Sequence, residues 1–299
     1  MSVPPYASLA YARVFEDSAQ PLYVEDWKTH LLVRDIPEAR GRDAIGCYPI
    51  AVFGQDADLA KGVEWLKQQG LVAVGLVPDP FTAPPASELA QVFPLCVQFK
   101  THCIVDYAKE VRYSKHHRYE VKRAHERVRV EQVNLADHVD AWTALYGDLI
   151  DRHQIDGLAR LSKDAFQRLL LVDGLTTVAA FVEQRVVSMH LWLTDPVRRA
   201  AYSLLAASDR EGYALGAAYA VYDASIRLFS DLEVLSLGAG AGLSSSEDDG
   251  LTRFKSGFAN AEVQAYFCGV VLDSQRYAAL TGNASATAVP FPTYRFTQA

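Results

Sequence analysis

VVSMHLWL, Val186–Leu193, with AAYSLLAA, Ala200–Ala207, close behind it, is the stretch whose reading decides the fold. Both runs are apolar and rich in strand-forming side chains. Turn signals set them apart, Glu183-Gln184 before the first and Asp195-Pro196 after it, so both are expected as strands. After Ser208-Asp209-Arg210 the period changes: Leu215, Tyr219, Tyr222, Ile226 and Phe229 recur at three and four residues, which places them on one helical face. Gly216, Ala220 and Ala224 form a separate small-residue stripe. Because Gly costs roughly 1 kcal/mol relative to Ala inside a helix, Gly216 needs a structural reason. LEVLSL, Leu232–Leu237, reads as a further strand. Gly238 to Gly242 reads as a flexible segment, Ser244 to Asp249 as a polar loop, and GLTRFKSGF, Gly250–Phe258, closes the region.

Upstream, the pattern is again mixed. GCYPIAVFG (46–54) reads as a short strand region, and Leu59, Val63 and Leu66 mark a helix that stops at Gly70. LVAVGLV (71–77) and QFKTHCIVD (98–106) supply strands, with the Pro78-Asp79-Pro80 turn and PPASELAQVF (84–93) interrupting them. Asn134 is placed to cap a helix carrying Val139, Trp142, Leu145, Tyr146 and Leu149, and Ser162 to cap a second one in LSKDAFQRLL. Gly174 introduces the sheet, EVQAYFCGVVLD (262–273) reads as a strand, and Thr281 to Ala299 reads as an irregular covering tail.

Composition narrows the function classes. A chain of 299 residues with 50% hydrophobic and 22% charged side chains builds a sizeable core. A formal charge of −7 argues against a globally basic nucleic-acid-binding surface. Locally the balance reverses, since Lys109 to Arg129 holds eight Lys or Arg residues against three Glu, suited to phosphates or carboxylates or to a solvated helix face. Without a leader pattern or an apolar run of about 18 residues, a cytoplasmic protein with no membrane insertion is expected. Cys47, Cys96, Cys103 and Cys268 lack paired zinc spacing, and His116 and His117 are adjacent, so no metal is expected.

Several of these segments resemble a known family. Gly212 and Tyr213 in REGYALGAAYAVY, Leu237 and Gly238 in LSLGAG, and Gly250, Phe254, Lys255, Gly257 and Phe258 are similar to the Gly-Tyr helix, glycine-ended strand and Phe-Lys segment of the BioF2-like, or FemAB-like, branch of the GNAT acyltransferase superfamily. YSKHHRYEVKRA, Tyr113–Ala124, resembles the basic segment that precedes its second half. The resemblance implies an α/β (α+β) fold of tandem GNAT-like domains, each with a mixed central sheet flanked by helices. Residues 1–115 would form a divergent N-terminal domain, 116–133 a basic connection, and 134–299 the C-terminal acyltransferase domain and tail.

The implied activity is N-acyl transfer from acyl-CoA or acetyl-CoA to a small amine or amino acid. Two alternatives stand beside it: a FemAB-like transferase that takes an aminoacyl group from tRNA to a peptidoglycan precursor, and a noncatalytic GNAT-like binding protein. Direct transfer needs an unprotonated amine close to the acyl carbonyl and donors for the developing oxyanion. Asp209, between strand and helix, is placed to orient the amine or accept a proton, or else to cap the helix. His190 is placed to relay a proton or to sit hydrogen-bonded in the core. Tyr202 and Tyr213 are candidates for positioning the acceptor, and Lys255 for neutralising a donor phosphate or substrate carboxylate. The amides of Arg210, Glu211 and Gly212 are candidates for holding phosphate at a helix start, although this segment departs from the usual acyl-CoA pyrophosphate signature. Gly238 would permit close ligand approach.

Overall fold

Alternating apolar runs and short amphipathic segments build a mixed α/β fold, seen in a computed structural model that describes residues 3–37, 39–240, 249–282, 287 and 290–296. The strands are β1 (Gln20–Val24), β2 (Thr29–Asp35), β3 (Arg42–Gly46), β4 (Leu71–Leu76), β5 (Leu95–Asp106), β6 (Arg129–Val133), β7 (Leu175–Val182), β8 (Arg185–Asp195), β9 (Ala200–Ser208), β10 (Val234–Gly238) and β11 (Ala261–Val271). The helices are α1 (Leu9–Arg13), α2 (Leu59–Lys67), α3 (Ala86–Val92), α4 (Lys115–His125), α5 (Val139–His153), α6 (Lys163–Leu169), α7 (Arg210–Leu215), α8 (Ala217–Leu228), α9 (Gly250–Ser256) and α10 (Ser274–Thr281).

Two compact units result, one of residues 1–99 with 264–299 and the other of residues 100–263, the chain crossing between them within β5 and again within β11. In the first unit the strand order is β1-β2-β3-β4-β11, antiparallel except for the parallel β3–β4 pair. Its core is built on Trp27, Leu31, Leu66, Val74 and Phe93, all buried. In the second unit the order is β5-β10-β9-β8-β7-β6, antiparallel except for the parallel pair β9–β10. Val187, Trp192, Val221, Ile226, Leu235, Leu237 and Phe258 form its main core.

The central reading of the sequence is found in β8, β9 and β10, whose continuous apolar runs are buried almost throughout. The helical segment between β9 and β10 is broken. Gly216 takes a left-handed φ of +69°, ending α7 and starting α8, which is the reason a glycine stands there. Ser162 caps α6 as expected, accepting from the Ala165 amide. Asn134 instead caps a short 3-10 turn, Leu135–His138, ahead of α5.

Upstream, one expectation needs correction and two elements were not anticipated. GCYPIAVFG is mostly a connection holding one bridge residue, Ala51, and the strand lies earlier in Arg42–Gly46. PPASELAQVF contains α3. The β1–β2 hairpin went unread. Gly242, the polar segment 244–248, and residues 283–286, 288–289 and 297–299 of the tail lie outside the described residues. Among those described, no helix is long and apolar enough to cross a membrane.

Candidate functional site

Lys255 is the charged side chain that the second unit encloses most unexpectedly. Asp249 starts α9 by accepting from the amides of Leu251 and Thr252, and the short helix carries Lys255 inward to 7% exposure. Its Nζ donates to the Ala239 carbonyl at 2.6 Å. The preceding residue, Gly238, has φ +76°, and a Cβ there would lie 3.2 Å from Nζ; glycine therefore supplies both the left-handed turn and the room beside the ammonium. Burial pulls the Lys255 pKa from the ordinary 10.5 to about 8, aided by the charge of Lys100 and opposed by Cys103 and Asp249. The helix α9 ends before Phe258, and Lys255 and Phe258 are both buried.

Two neutral imidazoles share this field. His190, on β8, is 1% exposed and stacks on Trp192 with ring centroids 3.9 Å apart. Its Nε2 lies 2.8 Å from Ser203 Oγ on β9, and Ser203 is also hydrogen-bonded to the Tyr222 hydroxyl of α8. His190 Nδ1 has no hydrogen-bond partner among the described residues. Desolvation, then repulsion from Lys255, holds the His190 pKa well below its ordinary value. The half-buried His102 is drawn down to about 4 by desolvation, with Lys255 and Lys100 adding to the effect. The cluster therefore presents two cations and two neutral imidazoles, with Asp249 as the carboxylate that acts on both lysines. Such a set can donate to an oxyanion or a phosphate.

The α7 start is built differently. Asp209 Oδ1 accepts from the Gly212 amide at 2.7 Å, and the Arg185 guanidinium pairs with both Asp209 and Glu211. A Cβ on Gly212 would come 2.2 Å from the Val187 carbonyl oxygen, so this glycine allows α7 to sit against β8. An open cleft of about 510 Å³ is lined here by Asp148, Asp209, Arg210, Glu211 and Ala214. Tyr213 is 55% exposed, under the Arg152 guanidinium at 4.5 Å. Tyr202 is buried and faces away from Ser203 by strand alternation.

His190, Gly238 and Lys255 are thus brought together, whereas Asp209, Arg210, Glu211, Gly212 and Tyr213 gather at the α7 start. Reasoning from sequence missed Lys100, His102, Ser203, Tyr222 and Asp249. The available signal was Lys100 and His102 at alternate positions of one strand, which puts them on one face. Among the described residues no group of three or more His, Cys, Asp or Glu is arranged to hold a metal ion.

No family model matches the chain and no curated protein matches it. Solved structures do. FemX aligns with a TM-score of 0.65 at 10% identity, over 91% of this chain and 93% of its own. The C-terminal DUF2156 domain of an Agrobacterium fabrum protein assigned as a lysylphosphatidylglycerol synthetase aligns at 0.64 and 12% identity, over 90% and 88%. L-PGS from Bacillus licheniformis aligns at 0.59 and 10% identity, over 89% and 93%. At these identities the likeness is one of fold alone.

Proposed function

We propose that the protein is an acyl-group transferase of FemAB type that moves an aminoacyl group from its ester on tRNA to an amine, with Lys255 stabilising the developing oxyanion. The observation that carries this reading is the buried Lys255 ammonium, in the segment that resembles the family's Phe-Lys motif. The two units are read as the paired GNAT-like halves. A tRNA ester is preferred to acyl-CoA because the α7 start already holds the Asp209 carboxylate, and Asp148 and Glu211 line the same cleft, an unfavourable setting for a pyrophosphate. The full-length likeness to FemX and L-PGS supports the same preference. The acceptor is assigned as a primary amine, with a peptidoglycan precursor as the class implied by the resemblance.

In this reaction the neutral amine attacks the ester carbonyl carbon. The C–N bond forms, the C–O bond to the ribose breaks, and the departing ribose oxygen takes up the proton that the amine gives off. Lys255, largely protonated at pH 7 with a pKa of about 8, donates to the carbonyl oxygen as charge builds, in a setting of low dielectric. His190 is assigned a positioning role, because its buried ring is clamped between Trp192 and Ser203.

The test incubates purified protein with labelled aminoacyl-tRNA or acyl-CoA and an amine pool, reading products by mass spectrometry. Transfer from aminoacyl-tRNA that falls about 10²–10³-fold in Lys255→Gln is expected. Transfer from acyl-CoA alone would overturn the donor assignment, and no transfer from either would overturn the enzymatic reading in favour of a binding protein.

A further inference from the structure

A second cleft, of about 650 Å³, opens in the same unit between the segment leading into α4 and the C-terminal half of α8. Its lining includes Arg112, Arg118 and Arg227, with apolar wall from Tyr107, Tyr113 and Ile226. None of these residues belongs to the Lys255 cluster. The volume falls in the range of small-molecule sites, roughly 300–1,000 Å³.

Its charge is not balanced internally. Asp223, 2% exposed, is the one carboxylate in the lining, and both its oxygens are engaged. Oδ1 accepts from the Tyr113 hydroxyl and Arg227 at 3.1 Å. Oδ2 lies 2.8 Å from His125 Nε2 and 2.9 Å from Arg227. Arg227 reaches Asp223 through Nη2 alone, and the two charges offset one another. Arg118 spends one N–H on the Tyr113 carbonyl at 2.7 Å. Arg112 is exposed and has no partner among the described residues. Arg112 and Arg118 therefore carry charge that no carboxylate of the lining offsets, in a cleft with aromatic and aliphatic walls and in a protein of net charge −7.

From this geometry we infer that the cleft binds a phosphate monoester carried on an aromatic or apolar body, of nucleotide size. The planar forks of Arg112 and Arg118 suit the several oxygens of a phosphate dianion, and the tyrosine and isoleucine walls suit the body attached to it. Two sources share this chemistry, a free nucleoside monophosphate and the 5′-phosphorylated end of an RNA strand.

Calorimetric titration at low salt with adenosine 5′-monophosphate, adenosine, inorganic phosphate and a 5′-phosphorylated oligoribonucleotide tests the site in wild type, Arg112→Ala, Arg118→Ala and Lys255→Gln. Saturable binding of the monophosphate is expected, with adenosine at least tenfold weaker. Arg112→Ala should weaken it about tenfold or more, as for loss of a charge-assisted hydrogen bond, while Lys255→Gln leaves it unchanged. The same dependence seen with the oligoribonucleotide alone would support the site and identify RNA as the source. Absence of binding by every phosphate probe overturns the assignment. So does binding that survives both arginine substitutions, or that is lost in Lys255→Gln, which would place the phosphate at the transfer site.

Discussion

Replacing Lys255 by Met tests the burial on which the transfer site rests. Lys→Met keeps an unbranched chain of similar length and removes the charge. The fall from the ordinary pKa of 10.5 to about 8, at 1.36 kcal/mol per tenfold change in proton affinity, corresponds to about 3 kcal/mol favouring the neutral amine in the folded state. The sign follows from proton counting. Between pH 8 and 10.5 the unfolded chain holds the Lys255 proton more tightly than the folded one, so wild-type stability rises with pH across that window, and the penalty is complete below it. Integrated from pH 7 to pH 10, wild type regains about 2–3 kcal/mol relative to Lys255→Met. At pH 7 the variant's gain is offset by leaving the Ala239 carbonyl without its donor, a cost of about 1–3 kcal/mol. The absolute difference is therefore less informative than its pH dependence. Urea unfolding of both proteins at pH 7, 8, 9 and 10 measures it directly. A wild-type to variant difference that stays constant within about 0.5 kcal/mol from pH 7 to 10 would show that the ammonium is hydrated, and the argument for a low-dielectric oxyanion donor would fail with it.

Other sites give separate outcomes. Asp209→Ala removes the α7 cap and the Arg185 pairing and should cost about 1 kcal/mol in urea unfolding, with transfer changed less than threefold; a hundredfold loss of transfer would restore Asp209 as a catalytic residue. Gly257→Ala would put a Cβ 2.0 Å from His117 Cε1, so a loss of about 1–3 kcal/mol is expected, and a double-mutant cycle with His117→Ala should recover part of it. Arg295→Ala leaves the fully buried Asp43 with Arg34 as its remaining cationic partner, and thermal unfolding should register a loss of about 3 kcal/mol or more.

How much of this was legible depended on whether a residue's environment was set by its neighbours in sequence. β8 and β9 could be read because continuous apolar runs bounded by turn residues allow few alternatives. The first unit hid its pattern behind Asp43. RDAIG, 42–46, does not look like a buried strand, because its Asp is paired with Arg34 on β2 and with Arg295 and accepts from the Tyr294 hydroxyl, the latter two more than 250 residues away. GCYPIAVFG carried the stronger apolar signal and drew the assignment to itself. The tail was expected as irregular cover. Tyr294 and Arg295 give it a specific attachment.

The site shows the same limit more sharply. Asp209 stood out because a local rule nominates an acidic residue between strand and helix, and the same rule explains it as a cap. Lys255 became informative through the enclosure that α9, Gly238 and Ala239 create around its ammonium, none of which is visible in the spacing of Phe254 and Phe258. His117 joins α4 to that segment: a carbonyl oxygen only accepts, so Nε2 carries the proton and donates to the Phe254 carbonyl at 2.8 Å. Nδ1 is then left to accept from the Ser114 hydroxyl. The ring that fixes this tautomer occupies the space where a Gly257 side chain would begin, so the Phe-Lys-x-Gly-Phe spacing serves docking on α4 as well as the position of Lys255. The motif is therefore better understood as the means of burying a lysine than as a set of residues that each touch substrate.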